Sequence, residues 1–315
     1  MKYVLKKLGT MIITLLLISF LVFAAFSVIP GDPALSRLGT NATPERLEQL
    51  REEMGLNGSL MSRYGTWLAG FVRGDFGKSY SYNMSVGALI LDKLPITLCL
   101  SLLAILLVIV FSLLIGIHAA KHEGKLLDRI IVVINQMIMA IPPFFAGILI
   151  SALFGLGLHW FVPGRFVSYR ENLIGFLGYL IAPAVAIALP KIAMAAKLLR
   201  SSLVEHAGED YIRTAYSRGN STKGVLYHHA LKNALIPLIT FWGMAFTDMI
   251  AGSVVIEQVF GIPGIGRILI TSIANRDYPV VEAIIMLLAT LIMVVNMLVD
   301  IIYRYADPRM RQSNG

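Results

Sequence analysis

The sequence predicts an all-α integral membrane protein with six transmembrane helices. Composition is the first observation: the 315 residues are 57% hydrophobic and only 15% charged, which is no soluble domain. The second is that apolar runs of about 20 residues recur, the length needed to cross a hydrocarbon core of ~30 Å. The third is that Lys and Arg concentrate in alternate connecting segments. The net charge of +8 therefore fits a membrane protein with its bases on one side better than a nucleic-acid binder, and no nucleic-acid partner is expected. Cys99 is the single cysteine, so no intrachain disulfide can form.

The elements follow in order. Lys2, Lys6 and Lys7 precede an unbroken apolar run from Gly9 to Ile29. A signal peptide has an apolar core of only ~7–15 residues, so this run reads as an uncleaved first span. Pro30-Gly31-Asp32-Pro33 is a turn by composition. Residues 30–93 are polar, with seven bases and seven acids. Within them Thr43 caps a helix over 44–56 that puts Leu47, Leu50 and Met54 on one side. Leu94–Ile117 is the second span, and a short basic loop with Lys121, Lys125 and Arg129 follows. Ile130 to about Leu158 is the third, broken at Pro142-Pro143, where protein or a cavity must supply backbone partners. Leu173–Leu199 is the fourth, with Pro183, Pro190 and Lys191 inside it; Ala234–Ile256 is the fifth, with Asp248; Val280–Tyr303 is the sixth.

The longest polar interruption of the second half, Glu205 to Pro237, reads as two short helices joined at Gly219. Gly208 can serve as N-cap of the first, Glu209 and Asp210 suit its positive end, and Arg218 its negative end. Gly219 can take the left-handed conformation that ends a helix. Ser221 or Thr222 then caps the next helix, which runs toward Pro237. Tyr211, Ile212, Ala215 and Tyr216 form an apolar stripe that needs a partner, either the protein's own core or another chain.

This loop resembles the coupling loop of ABC importer permeases, whose signature is EAA, three residues and Gly. Arg213-Thr214-Ala215 and Gly219 keep that spacing, with Arg213 where the first Glu stands and Leu231-Lys232 where the family has Leu-Pro. Asp210, Tyr211, Arg213, Thr214, Ala215, Gly219, His229, Ala230, Leu231, Asn233, Ala234 and Pro237 fit the form DYxRTAxxxG…HALxNAxxP of the dipeptide, oligopeptide and nickel subgroup. Further matches are Pro30–Pro33, Met54-Gly55-Leu56 with Tyr64 and Trp67-Leu68, and Gly74-Asp75-Phe76-Gly77-Lys78-Ser79. Later in the chain come Glu257…Gly266, Arg276-Asp277-Tyr278-Pro279, and Asp300…Tyr303…Asp307-Pro308-Arg309. The glycine-rich 74–79 segment lacks P-loop spacing.

The resemblance implies the type I ABC importer permease fold with an external domain between helices 1 and 2. It implies a second homologous permease subunit, two ABC ATPase subunits and an extracytoplasmic substrate-binding protein. The expected organisation is residues 1–29 as tail and first span, 30–93 as an extracytoplasmic region, 94–304 as the transmembrane core with a cytoplasmic coupling loop at 205–233, and 305–315 as a cytoplasmic tail. Fourteen bases lie in the segments on the side of the termini and four in the short segments opposite, which places both termini in the cytoplasm. The resemblance implies a prokaryotic cell, with the chain in its plasma membrane. The chain has no Walker A, HExxH or GxSxG motif, so no cofactor is expected in it and ATP with Mg²⁺ belongs to the partner subunits. No metal site is expected, since adjacent His228 and His229 point apart. A stand-alone secondary transporter would need several buried carboxylates and repeats, and only Asp248 lies deep in a span. Peptide is the expected substrate; nickel chelates, opines, glutathione and sugars are the alternatives.

The expected ATPase-coupling residues are Asp210, Tyr211, Arg213, Thr214, Ala215 and Gly219. Lys191 and Asp248 are expected to face an aqueous pathway. Their depth offset is ~12 Å if the fourth span centres near Ala186 and ~7–8 Å if it centres near Leu189, where the Lys stem can bridge it.

Overall fold

The computed structural model describes residues 2–28, 33–38, 43–55 and 57–306. In chain order the helices are α1 (Lys2–Val28), α2 (Pro33–Leu38), α3 (Pro44–Glu53), α4 (Leu60–Val72), α5 (Val86–Lys121), α6 (Leu126–Met139) and α7 (Pro143–Ile150). Then come α8 (Leu173–Ala207), α9 (Asp210–Ser217), α10 (Thr222–Gly224), α11 (Leu231–Phe260), α12 (Ile265–Ala274) and α13 (Tyr278–Ala306). Five helical segments are long and apolar enough to cross a membrane, and a sixth crossing forms if α6 and α7 count as one broken span. The expected turn at 30–32, Leu56 and the 307–309 motif lie outside the described residues.

The break in the third span is sharp. α6 and α7 meet at 99°. Pro142 is extended (φ −62°, ψ 140°), as the residue before a proline must be, and Pro143 takes the first helical position, where its missing N–H costs nothing. A π-helical turn, Ser151–Gly157, finishes the arm. The prolines of α5, α8 and α11 (Pro95, Pro183, Pro190 and Pro237) lie inside continuous helices. One expectation is corrected here: the helix capped by Ser221 is no separate loop helix. It continues through a π-helical turn at Val225–Ala230 into α11, so the fifth apolar span begins at Thr222.

The chain forms two compact units. The first comprises Met1–Ile96 and Pro263–Met293. Its apolar core joins Val86, Leu89 and Ile90 of α5 to Ile265 and Ile268 of α12 and to Val280 and Ile284 of α13. α4 packs on α1 through aromatic rings: Phe20 and Tyr64 are 5.4 Å apart, Phe23 and Trp67 5.7 Å. The Ser19 and Tyr64 hydroxyls meet at 2.8 Å beside them. Thr43 caps α3 by accepting from the Arg46 amide, as expected. Two sequence motifs turn out to be one structure. Asp277, fully buried, accepts from the Ser79 hydroxyl at 2.5 Å and from the Tyr80 and Ser81 amides at 3.0 Å each. The carboxylate thus collects three donors from the end of the glycine-rich segment.

The second unit comprises Thr97–Ile262 and Val294–Gly315 and is built on α8, which packs against α6, α7 and α11. Lipid tails are as apolar as leucine, so helices associate in a bilayer through close backbone approach and small residues. α8 meets that need with buried Ala184, Ala186, Ala188, Ala193, Ala195 and Ala196. A Cβ on Gly116 of α5 would stand 2.9 Å from Leu199 Cβ and 3.0 Å from the Ala196 carbonyl, so only glycine fits there. The Tyr179 hydroxyl donates to the Phe260 carbonyl at 2.5 Å and ties the start of α8 to the end of α11.

Replacing Asp277 with Ala leaves three donors without their acceptor. We expect a loss on the order of 3 kcal/mol, read as a lower unfolding midpoint of the purified protein. An unchanged midpoint would show that the clamp is dispensable.

Candidate functional site

The coupling-type segment is built from its backbone upward. α8 ends at Gly208, which is its C-cap and not the N-cap of α9. That N-cap is Glu209, in extended conformation, and its side chain makes no capping bond. Asp210 occupies the first turn, where its charge suits the dipole. The Thr214 hydroxyl donates to the Asp210 carbonyl at 2.9 Å, and Arg213 approaches Asp210 at 3.6 Å. At the other end Gly219 adopts φ +81°. The Gly219 amide donates to the Tyr216 carbonyl at 2.9 Å and the Asn220 amide to the Ala215 carbonyl at 3.3 Å. These two bonds make a complete Schellman motif, whose left-handed position strongly favours glycine. The Asn220 side chain adds a second donor to the same Ala215 carbonyl at 3.0 Å. Ser221 then caps the next helix by accepting from the Gly224 amide.

The apolar stripe divides. Ile212 and Ala215 are buried, Ala215 to 6% exposure, and α9 packs on the π-helical turn at Val225–Ala230. Ala215 therefore belongs to the protein's own core. Its position one turn after Ile212 puts both on one face of α9. Tyr211 and Tyr216 point outward, Tyr216 at 46% exposure, alongside exposed Asp210, Arg213 and Thr214. What α9 offers outward is two aromatic rings among charged and polar groups.

Lys191 and Asp248 meet directly. Lys191 Nζ lies 2.6 Å from Asp248 Oδ2. α8 runs from 173 to 207, so its midpoint is Pro190, beside the later of the two centres considered above, and the Lys stem bridges the remaining offset. The pair is open on one side: the Asp248 side chain is 63% exposed in this chain, that of Lys191 22%. The outward face of α11 also carries Met244 and Val255.

Two further polar pairs escaped the sequence reading. Arg200 of α8 grips Asp128 of α6 through two bonds, Nε–Oδ1 at 2.6 Å and Nη2–Oδ2 at 2.7 Å, and the Gly124 amide donates to the same carboxylate at 3.0 Å. An acid inside a segment otherwise rich in bases was the available signal. The Thr97 hydroxyl donates to fully buried Glu257 at 2.5 Å, 160 residues away in sequence. Glu282 is buried inside α13.

Comparison with known proteins places this architecture. The family described as binding-protein-dependent transport system inner membrane component matches residues 112–312, and its N-terminal companion family matches residues 1–101. The di/tripeptide transport system permease protein DppB of Pseudomonas aeruginosa is 35% identical over 332 aligned positions, covering 99% of each chain. The oligopeptide transport system permease protein AppB of Bacillus subtilis is 34% identical over 98% of each. The glutathione transport system permease protein GsiC of Escherichia coli is 32% identical over 99% of each. Among solved structures, an amino acid ABC transporter crystallised with histidines shares the fold at a TM-score of 0.52 and 19% identity, covering 69% of this chain and 94% of that one.

Gly219 gives a local test. A β-branched residue is strained at φ +81°, at a cost of roughly 1–2 kcal/mol. Gly219→Val is expected to speed tryptic cleavage at Arg218, with Gly219→Asn intermediate; equal rates in all three proteins would contradict the role given to the Schellman closure. The fold, the coupling-type loop and the matches across nearly the whole length make this multi-pass chain a member of the binding-protein-dependent transport system inner membrane component family, the permease subunits of ABC transporters.

Proposed function

We propose that this chain is one of two homologous permease subunits of an ATP-driven importer of short peptides. The observation that carries the reading is α9: an amphipathic helix, fixed to α11 by its buried face, that turns Tyr211 and Tyr216 away from the chain. Two ABC ATPase subunits dock there on the cytoplasmic side. Asp210, Arg213 and Thr214 form the polar rim, while Ala215 and Gly219 act indirectly, by seating and closing the helix. A separate substrate-binding protein delivers the peptide from outside. The chain itself carries no hydrolytic site and borrows its energy from ATP bound by its partners. Both termini face the cytoplasm of a prokaryotic cell, residues 30–93 face out, and residues 94–304 form the transmembrane core.

Peptide as the substrate class is supported by the names of DppB and AppB, whereas GsiC is named for glutathione, one of the alternatives. The open side of the Lys191–Asp248 pair supports a pathway role. Charges left in lipid are costly, so a pair with one partner 63% exposed faces water or another protein chain. The second permease covers that face of α11 and the pathway runs between the two. A zwitterionic peptide can meet either charge there.

The test is transport by the whole importer in proteoliposomes, with binding protein outside and ATP inside. Tyr216→Ala is expected to lower peptide uptake and substrate-stimulated ATPase activity at least tenfold, the loss typical of an aromatic interface anchor, while insertion stays normal. Full uptake by that variant would remove α9 as the coupling surface. Asp248→Asn and Lys191→Met should each impair uptake. Recovery in the double variant would make them a structural pair only.

A further inference from the structure

The first unit holds an open pocket of ≈ 730 Å³, within the range of small-molecule sites. All of its lining residues belong to that unit. Glu282 stands in its wall at 7% exposure, inside a helix long and apolar enough to span the membrane. A carboxylate in such a place is costly and is kept where something answers it. Trp67 and Arg63 line the same pocket as Glu282. Arg63 itself lies over the Phe23 ring at 5.8 Å. Lys78 and Asp75 line the same space.

We propose that this cavity is a binding site for a small ligand carrying one ammonium and one anionic group on an apolar body. The four lining charges are two acids and two bases. A plain cation would meet Arg63 and Lys78, and a plain anion would meet Glu282 and Asp75, so a molecule with both charges, separated, is the match. The ammonium belongs at Glu282, beside the Trp67 ring, whose face favours cations. The anion belongs at Arg63, whose fork suits a carboxylate or a phosphate. The aromatic walls take the apolar body. Two sources supply this chemistry: a free dipeptide and the headgroup of phosphatidylethanolamine.

The assay uses the full-length chain in nanodiscs of phosphatidylglycerol, which offers no ammonium, titrated with radiolabelled Ala-Phe. No ATP is hydrolysed and nothing is transported, so failure here and failure of the import reading are separable. Saturable binding is expected, weakened roughly tenfold or more by N-acetylating the peptide or by Glu282→Gln, the effect of one lost charge-assisted bond. Because Glu282 is buried, Lys78→Met serves as a second variant at an exposed position and should weaken binding several-fold. If instead phosphatidylethanolamine co-purifies with the unmodified chain and is released by Glu282→Gln, the lipid headgroup is the source and the site stands. Absence of both Ala-Phe binding and retained phosphatidylethanolamine overturns the proposal. So does Ala-Phe binding that survives Glu282→Gln and Lys78→Met but disappears in Asp248→Asn.

Discussion

A charge buried in the fold or carried into a membrane span must be answered by another group of the protein, and several long-range contacts of this structure meet that requirement. Asp128 is held by Arg200, Lys191 by Asp248, Glu257 by Thr97 and Asp277 by Ser79 with two backbone amides. Each partnership joins segments far apart in the chain, so each fixes a tertiary relation that greasy surfaces alone leave loose. Leucine slides on leucine as readily as on lipid. A bidentate arginine–carboxylate pair admits essentially one geometry. Asp128–Arg200 therefore sets the register of α6 on α8, while the alanine face of α8 and Gly116 supply the close approach.

The same requirement shapes the functional reading. Arg200 lies seven residues before the end of α8, about 10 Å along the axis, and α9 follows one short turn later. In the proposed reading a displacement of α9 would pass to α11 through the buried side chains of Ile212 and Ala215, to α8 through the chain and to α6 through the ion pair. The joints of that lever are hydrogen-bonded: the Schellman closure at Gly219 at one end and the Asp128 clamp at the other.

Much of this was legible in the sequence. Hydropathy gave the spans, Pro142-Pro143 gave the break, and local chemistry gave the Thr43 and Ser221 caps and the left-handed Gly219. These features depend on residues within a few positions of each other. What hydropathy and spacing left open depends on distant contacts. An apolar stripe on α9 shows that a partner is needed, and only the fold reveals that Ala215 is buried while Tyr216 turns away. The continuity of Thr222 through Phe260 was hidden because the polar first turns of that helix lie below the hydropathy of a span. Asp128 was overlooked among bases that outnumber it. The bond between Asp277 and the 79–81 segment joins two motifs almost 200 residues apart, which periodicity cannot relate. The pairing of Lys191 with Asp248 turned on where the fourth span is centred, and eight residues of helix beyond the apolar run moved that centre.

The central claim is that α9 presents Tyr216 to an ATP-hydrolysing partner. Disulfide trapping measures this directly: Tyr216→Cys in a Cys99→Ser background, in the assembled importer, against single cysteines placed along the ATPase surface. The account predicts a cross-link to the ATPase at one cluster of positions, with a yield that changes when ATP is bound. A position 216 that cross-links to no ATPase site, with the complex intact, would contradict it.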